Sequence, residues 1–411
     1  MRIATRDKLS AIILIGVVLV TLEYDARQYN SESTVAVSST SSSVAADTRV
    51  NRDVEALVAI GSRVAGTPTN EKALAYLNSE YQKAGYETEV QTFIYSKFED
   101  RGSSLKVDDN VIAGRALNGS PPGSPSAAIA LVPNLGRKED FQQVNVEGKI
   151  AVVRRGEIRF SDKASNAEAA GAVGLIIINN ESGNFTGTLV EKTDIPVLSI
   201  AGEQGKALLQ NADSSRQATL KVDTVRRQVT GRNLIARPAD SIQPEVIIGG
   251  HYDSVAGSPG ANDNASGTAV VLELARRLAG TPQTDRVWFI AFDGEEDGLH
   301  GSRAFVDNAT PQFLSRLSGM INFDMVGINK SLKVGGTPSL ATLVRKDRSL
   351  SQLGTVGGSD HIPFAKAEVP VLFFTRGLDP NYHKPGDLKV NPQLLDETVE
   401  AGLEVTRQIL E

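Results

Sequence analysis

The fold is decided by residues 246–294, which read VIIGGHYDSVAGSPGANDNASGTAVVLELARRLAGTPQTDRVWFIAFDG. The two ends of this stretch are almost free of polar side chains, as strands tend to be when both faces of a parallel sheet are buried. Between them, residues 266–280 have the spacing of an amphipathic helix that ends at Gly280. A buried strand, a helix and a second buried strand in this order are typical of a mostly parallel sheet covered by helices.

The same alternation continues on both sides of this stretch. Further apolar runs predict strands at NLIARP, INFDMVG and VPVLFF, and PQLLDETVEAGLEVTRQIL predicts a closing amphipathic helix. Near the start, residues 53–66 and 70–93 predict two helices, a glycine stop at Gly85 and a strand. We therefore predict the α/β class, with a mixed, mostly parallel central sheet and helices on both faces.

A second unit interrupts the first between residues 107 and 229. Its pattern changes to short strands and turns, with a strand at 150–153, a helix at 161–170 and a buried strand at 173–178. None of its residues has metal-ligand spacing. We predict a smaller α/β domain inserted into a main domain formed by residues 48–106 and 230–411.

The first 47 residues are of a different kind. Arg2, Arg6 and Lys8 precede an apolar run at 9–22, which suits a secretory signal or an uncleaved N-terminal anchor over residues 1–29. Residues 30–47 are rich in serine and read as a flexible linker. We expect an exported protein that is secreted or periplasmic, or anchored to a membrane if the segment is retained.

Composition narrows the chemistry. The chain has no cysteine, so disulfides and thiolate ligands are excluded and any transition metal must use nitrogen and oxygen. A formal net charge of −6 without a basic run gives no support for nucleic-acid binding.

Candidate metal ligands follow the predicted strands. Ligands in α/β sheets bind beyond the carboxyl ends of the strands, and three of the predicted strands are followed at that edge by acidic or imidazole side chains. The complete set of candidates is His251, Asp263, Glu296, Asp324 and His383. Two imidazoles and three carboxylates, with Glu295 beside one of them, are the groups of a two-metal hydrolase whose water needs a base.

Two further acids have supporting roles in this interpretation. Asp253 follows His251 by two positions and is placed to accept the second N–H of a metal-bound imidazole. Glu295 is the candidate general base, because its neighbour can bind metal while it faces the bound water. Each residue alone has a simpler explanation, such as a helix N-cap at Asp263 or a solvated acidic turn at Glu295 and Glu296.

The ordered motifs HYDS, NDNASG, EEDGLHGS, NFDMVG and YHKPGD resemble the co-catalytic zinc aminopeptidases of the bacterial leucyl aminopeptidase and aminopeptidase Y type. The resemblance covers roughly residues 50–116 and 230–411, and the inserted unit resembles a protease-associated domain. It implies a zinc-peptidase-like fold and removal of the N-terminal residue from peptides or proteins with a free N-terminus.

The resemblance also implies individual roles. One zinc would be held by His251, Asp263 and Asp324. The other would be held by Asp263, Glu296 and His383, with Asp263 bridging. A water shared by the two ions would attack the peptide bond, Glu295 would be the general base and acid, and Asp253 would orient His251. Co²⁺ or Mn²⁺ are expected as substitutes for zinc.

The segment GGSDHIPF resembles one that some secreted members carry near the substrate, so Asp360 and His361 are predicted to bind substrate. A loop of structural polar residues is the alternative. We interpret His300, in EEDGLHGS, as structural.

Other functions stay open at this point. A carboxypeptidase or a glutaminyl cyclase would use related chemistry, although no arginine cluster flanks the motifs to bind a terminal carboxylate. A serine hydrolase built on Ser359 lacks the G-x-S-x-G turn. A binding protein with a structural metal would have no use for Glu295, since closed sites need no base.

Overall fold

The computed structural model of the protein describes residues 48–210, 216–344, 351–352 and 358–411. The predicted signal or anchor and the serine-rich linker lie outside these residues. Among the helices of the described part, none has both the length and the apolar character needed to cross a bilayer.

The main sheet has eight strands in the order β1-β10-β12-β11-β13-β16-β14-β15. Its four inner strands, β12, β11, β13 and β16, pair in parallel with one another. Antiparallel pairs are β1 with β10, β10 with β12 and β14 with β16, whereas β14 and β15 pair in parallel. The strands are β1 Glu87–Asp100, β10 Thr224–Arg237, β11 Val246–His251, β12 Val287–Phe292, β13 Gly319–Phe323, β14 Lys333–Gly336, β15 Ser351–Gln352 and β16 Val371–Thr375.

Helices cover both faces of this sheet. The helices of the main domain are α1 Arg49–Ile60, α2 Pro68–Lys83, α6 Gly267–Leu278, α7 His300–Asn308, α8 Pro311–Ser315, α9 Pro338–Val344, α10 His361–Lys366 and α11 Pro392–Leu410. Ile248 of β11 packs in the core shared with α1, α2, α6 and α11. Its neighbour Ile247 packs in a second core with Phe305 of α7 and Phe364 of α10. Successive residues of a strand point to opposite faces, which explains why the run at 246–251 is apolar throughout.

The second sheet also has eight strands, in the order β3-β2-β9-β5-β6-β7-β8-β4, and β5, β6, β7 and β8 pair in parallel. The strands are β2 Ser104–Val107, β3 Asn110–Ala113, β4 Arg115–Ala116, β5 Ser126–Leu131, β6 Ile150–Arg154, β7 Gly174–Ile178, β8 Val197–Ile200 and β9 Gln217–Lys221. The helices between them are α3 Lys138–Phe141, α4 Phe160–Ala169 and α5 Gly202–Gln210. This unit forms its own apolar cores on either side of its sheet.

A long two-stranded ribbon joins the two sheets. Strands β1 and β10 pair without interruption from Glu87 opposite Arg237 to Asp100 opposite Thr224. The ribbon therefore ends at Asp100 and Thr224, and the predicted limits of the insertion, residues 107 and 229, stay a prediction.

The predicted fold class is confirmed: the main sheet is mixed, its centre is parallel and helices lie on both faces. Helices α2 and α11 begin as their sequences indicate, with proline in the first turn and the Thr67 or Asn391 side chain accepting an N–H from that turn. Strand β14 and the helices α7 and α10 were not predicted.

Candidate metal centre

The candidate ligands meet at the carboxyl edge of the main sheet. His251 is the last residue of β11, Asp324 directly follows β13, and Glu295 and Glu296 lie in the loop after β12. Because β11 pairs in parallel with both β12 and β13, the ends of these strands are adjacent. Asp263 reaches the same place from the turn before α6.

Asp263 lies between the two imidazoles. Its Oδ1 is 3.3 Å from Nε2 of His251, and its Oδ2 is 3.1 Å from Nε2 of His383. Nε2 of His383 is also 3.0 Å from Oε2 of Glu296, and Nε2 of His251 is 3.5 Å from Oδ1 of Asp324. One carboxylate is thus shared by two groups of nitrogen and oxygen donors.

Side-chain atoms of His251, Asp263 and Glu296 lie within 4.8 Å of one another, and so do those of His251, Glu295 and Asp324. Three buried atoms in this cluster have no hydrogen-bond partner among the described residues: Nε2 of His251, Oε1 of Glu296 and Oδ1 of Asp324. Buried polar atoms normally have partners, so this geometry fits cations held by nitrogen and oxygen ligands.

The electrostatics of the cluster agree with this interpretation. Burial raises the pKa of Glu296 to about 7. Burial, together with the charges of Asp324 and Asp360, raises the pKa of Glu295 well above its ordinary value. Hydrogen bonds that the His383 imidazole donates to the Asp263 and Glu296 carboxylates raise the pKa of His383 to about 10. The cluster therefore concentrates negative charge in a poorly solvated place, which bound cations would neutralise.

Asp253 contacts both sides of the cluster. Its Oδ1 lies 3.4 Å from Nδ1 of His251, on the side of the ring away from the other ligands. Its two carboxylate oxygens also accept the backbone N–H groups of Glu295 and Glu296, at 3.2 and 3.3 Å. Asp253 therefore supports both the imidazole and the loop that carries the two glutamates.

Two supporting residues were missed in the sequence. Asp387 accepts the backbone N–H groups of Asn262 and Asp263 at 2.8 and 3.0 Å, which holds the turn that presents the shared carboxylate. Its signal was present, because it is the last residue of the quoted motif YHKPGD. Arg63, fully buried, donates to the backbone carbonyls of Tyr252, Pro259 and Gly260, and no local pattern pointed to it.

Ser359, Asp360 and His361 of the GGSDHIPF segment lie beside the cluster but are buried. Burial raises the pKa of Asp360 to about 7, and the His361 ring stacks on Phe373 with the ring centres 4.6 Å apart. Neither residue belongs to the described lining of the adjoining cavity, so direct contact with a substrate stays a prediction. Ser359 is fully buried and its hydroxyl oxygen accepts a hydrogen bond from Asn322, which does not suit a nucleophile.

A cavity of about 340 Å³ opens next to the cluster. Its lining is Asp263, Glu295, Glu296, Asp324, Met325, Gly358, Phe373, Thr375, Gly377, Leu378 and Tyr382. Two larger clefts, of about 730 and 610 Å³, lie along the ribbon and the second sheet, and Asp100 is the one carboxylate among the described residues that line them. The candidate metal ligands therefore adjoin the smaller cavity and not the two larger clefts.

Comparison with known proteins identifies the family. Residues 233–405 match the model of peptidase family M28, and residues 122–208 match the model of the PA domain. Aminopeptidase YwaD of Bacillus subtilis (strain 168) is 36% identical over 360 residues, which span 80% of this chain and 76% of that protein. The chain belongs to peptidase family M28. The predicted resemblance and the inserted protease-associated domain are confirmed, and the chain is a peptide hydrolase by family.

Solved structures resemble this M28 peptidase over most of its length. The aminopeptidase of Aneurinibacillus sp. strain AM-1 superposes with a TM-score of 0.75 at 32% identity, covering 88% of this chain and 93% of that one. BSAP, described as a zinc aminopeptidase from Bacillus subtilis, superposes with a TM-score of 0.71 at 33% identity, covering 87% and 94%.

Proposed function

We propose that this M28 peptidase is an aminopeptidase that binds two zinc ions and removes the N-terminal residue of peptides or proteins. The observation that carries the proposal is Asp263, whose two carboxylate oxygens each face a different imidazole. A carboxylate shared in this way suits two adjacent cations. The names of the similar proteins, zinc aminopeptidase and aminopeptidase, support the same proposal.

The proposed ligands of one ion are His251, Asp263 and Asp324, and those of the other are Asp263, Glu296 and His383. When bound, zinc polarises a carbonyl oxygen and lowers the pKa of water. The donor set contains only nitrogen and oxygen atoms, which Co²⁺ and Mn²⁺ also accept, so we propose these as substitutes.

Glu295 is the proposed general base and acid. Its Oε2 lies 4.0 Å from Nε2 of His251, so it borders the donor cluster without sharing the central position of Asp263. Burial raises the pKa of its carboxyl group, which makes the carboxylate a better proton acceptor. Asp253 is the proposed positioning residue for His251 and for the glutamate loop.

The cavity favours an amine over a carboxylate at the substrate terminus. Its lining includes four acidic side chains, and none of the described lining residues is lysine or arginine. A carboxypeptidase would need a cation there to bind the terminal carboxylate. The remaining lining includes Met325, Phe373 and Leu378, so we propose that the first residue of a good substrate has an apolar side chain.

The proposal includes a catalytic domain of residues 48–106 and 230–411, an inserted domain of residues 107–229, and export directed by residues 1–29. The apolar run at 9–22 after three basic residues supports export, and retention of that run would add a membrane anchor. The substrates would then be peptides or proteins outside the cytoplasm.

The proposal is tested with a leucine-initiated peptide, either with a free amine or N-acetylated. Each is incubated with the purified full chain as prepared, after chelation, and after zinc is returned. Cleavage of only the free-amine peptide, lost on chelation and restored by zinc, supports the proposal. Equal cleavage of both peptides contradicts an aminopeptidase, and cleavage that survives chelation contradicts the metal.

A further inference from the structure

The loop that carries the two glutamates has an unusual backbone. Gly294, Gly298 and Leu299 all have positive φ, at 68°, 122° and 61°. Leucine seldom adopts this conformation, so the surrounding contacts must stabilise the loop. On its inner side the loop is held by Asp253, which accepts the N–H groups of Glu295 and Glu296.

The outer side of the loop is held by the ribbon. Asp297, one residue beyond Glu296, accepts a hydrogen bond from the Tyr95 hydroxyl at 2.5 Å, and its other oxygen lies 2.6 Å from Nζ of Lys97. Tyr95 and Lys97 are two positions apart on β1 and therefore share one face of the strand. The Asp297 side chain is only 13% exposed, so water competes for these contacts less than at an ordinary surface pair.

The Tyr95 ring touches both ends of the same loop. It stacks on the ring of His300, the first residue of α7, with the ring centres 4.0 Å apart and the planes at 16°. At the other end, a Cβ atom added to Gly294 would lie 3.3 Å from the Tyr95 ring and hydroxyl. Tyr95 thus packs against the loop where it begins and where it ends. The structural interpretation of His300 agrees with this contact.

The ribbon has a second role in the chain. Strand β1 leads into the inserted unit at Asp100, and β10 returns from it at Thr224. Tyr95 and Lys97 therefore lie on the strand that leads into the protease-associated domain. From that strand they contact the loop that bears the proposed base.

We propose that Asp297, Tyr95 and Lys97 form a clamp that positions Glu295 for catalysis. They are positioning residues, since Asp297 contacts the ribbon through its side chain and acts on Glu295 through the loop backbone. This inference rests on the proposed role of Glu295. It means that β1, the strand that leads into the insertion, helps to hold Glu295 in position. Loss of the clamp would let Glu295 shift, while the four proposed ligands outside the loop, His251, Asp263, Asp324 and His383, stay in place. Small misplacements of a catalytic group cost turnover.

The test compares variants along the same strand. Asp297→Asn, Tyr95→Phe and Lys97→Met each remove one clamp contact, and Lys97→Arg keeps the cation. Glu99→Gln is the matched control, because Glu99 lies further along β1 and pairs with Arg227 at 3.3 Å on an exposed surface. For each full-length variant, kcat, KM, bound zinc and the thermal midpoint are measured, together with amide hydrogen exchange of residues 294–299.

We expect Asp297→Asn and Tyr95→Phe to lower kcat about 10- to 100-fold while KM and bound zinc stay near the wild-type values. Exchange of the loop amides should rise in the same variants, and Lys97→Arg should restore most of what Lys97→Met loses. Glu99→Gln should match the wild type in every measurement.

Two results would overturn the clamp. One is clamp variants that behave like Glu99→Gln, and the other is a loss of kcat that only follows a loss of bound zinc. Hydrogen exchange separates this inference from the proposed function, because it needs no turnover. A wild-type chain that cleaves no peptide contradicts the proposed function, whereas unchanged loop exchange in Asp297→Asn contradicts the clamp.

Discussion

The two sheets of this protein share an architecture and differ in how they treat buried polar groups. Each has eight strands with four parallel strands paired side by side. In the unit built on the second sheet, Lys163 of α4 is buried and donates to the backbone carbonyls of Leu135 and Arg154. Buried Asp140 accepts from the Asn134 amide and the Arg137 N–H, both at 2.8 Å.

At the carboxyl edge of the main sheet, several buried polar atoms lack such partners. Nε2 of His251, Oε1 of Glu296 and Oδ1 of Asp324 are buried without a hydrogen-bond partner among the described residues. Leaving such atoms unpaired costs free energy, so a partner from outside the chain is expected at this edge. A parallel sheet alone therefore does not indicate function, whereas a cluster of unpaired buried donors and acceptors at one edge points to a bound ligand.

The difference between the two regions is tested most directly by changing one acidic residue in each. We expect Glu295→Gln to lower kcat by about 10²- to 10⁴-fold, because it removes the proton acceptor and leaves the proposed ligands untouched. Steady-state kinetics and zinc analysis of the purified variant check this. Asp140→Asn, in α3 of the second unit, should unfold at a lower temperature and keep the wild-type kcat. Full turnover in Glu295→Gln with normal zinc content would remove Glu295 from the mechanism.

Removal of the shared carboxylate should have the next largest effect. Asp263→Ala should lose bound zinc and activity together, because both proposed ions use this side chain. In the wild type, chelation should lower the thermal midpoint, because the crowded buried carboxylates then lack the cations that neutralise them. Returning zinc should restore the midpoint. Asp263→Ala should show little response to chelator. Stoichiometric zinc and normal turnover in this variant would contradict a bridging role.

Asp253→Asn should have an intermediate effect on zinc affinity and kcat. The amide keeps a similar shape but is a poorer acceptor for the Glu295 and Glu296 N–H groups and for Nδ1 of His251. Outer partners of metal ligands typically contribute 10- to 100-fold to metal affinity or activity. Competition with a chromophoric chelator measures the zinc dissociation constant. An unchanged constant and an unchanged kcat would leave Asp253 without the positioning role.

The smallest effect is expected on the pH dependence of stability, through a lysine of the second unit. Burial, with a contribution from the charge of Arg137, lowers the pKa of Lys163 from 10.5 to about 8. Between these values the unfolded chain holds a proton that the folded chain lacks, so this residue makes the free energy of unfolding rise with pH from about 8 to 10.5. Lys163→Met should remove that contribution.

Thermal unfolding of both proteins across this pH range checks the prediction, and the difference between them isolates Lys163 from other titrating groups. Identical pH profiles would show that Lys163 titrates normally in the folded state.

Much of the candidate site could be predicted because its signals are local. His251, Glu295, Glu296 and Asp324 follow apolar runs, and parallel pairing of those runs brings their ends together. The supporting contacts could not be predicted in this way. Asp387 meets Asp263, and Tyr95 meets Asp297, across separations of 124 and 202 residues.

The class of sheet, the insertion and the candidate nitrogen and oxygen donors could be inferred from the amino-acid sequence, because strand length and periodicity are properties of short segments and the chain has no cysteine. Only the tertiary structure decided that Asp263 lies between His251 and His383 and that Asp253 holds the glutamate loop. It also decided where the ribbon meets that loop. Each of these contacts depends on packing between distant segments, since a side chain finds such a partner only after the strands and helices have assembled.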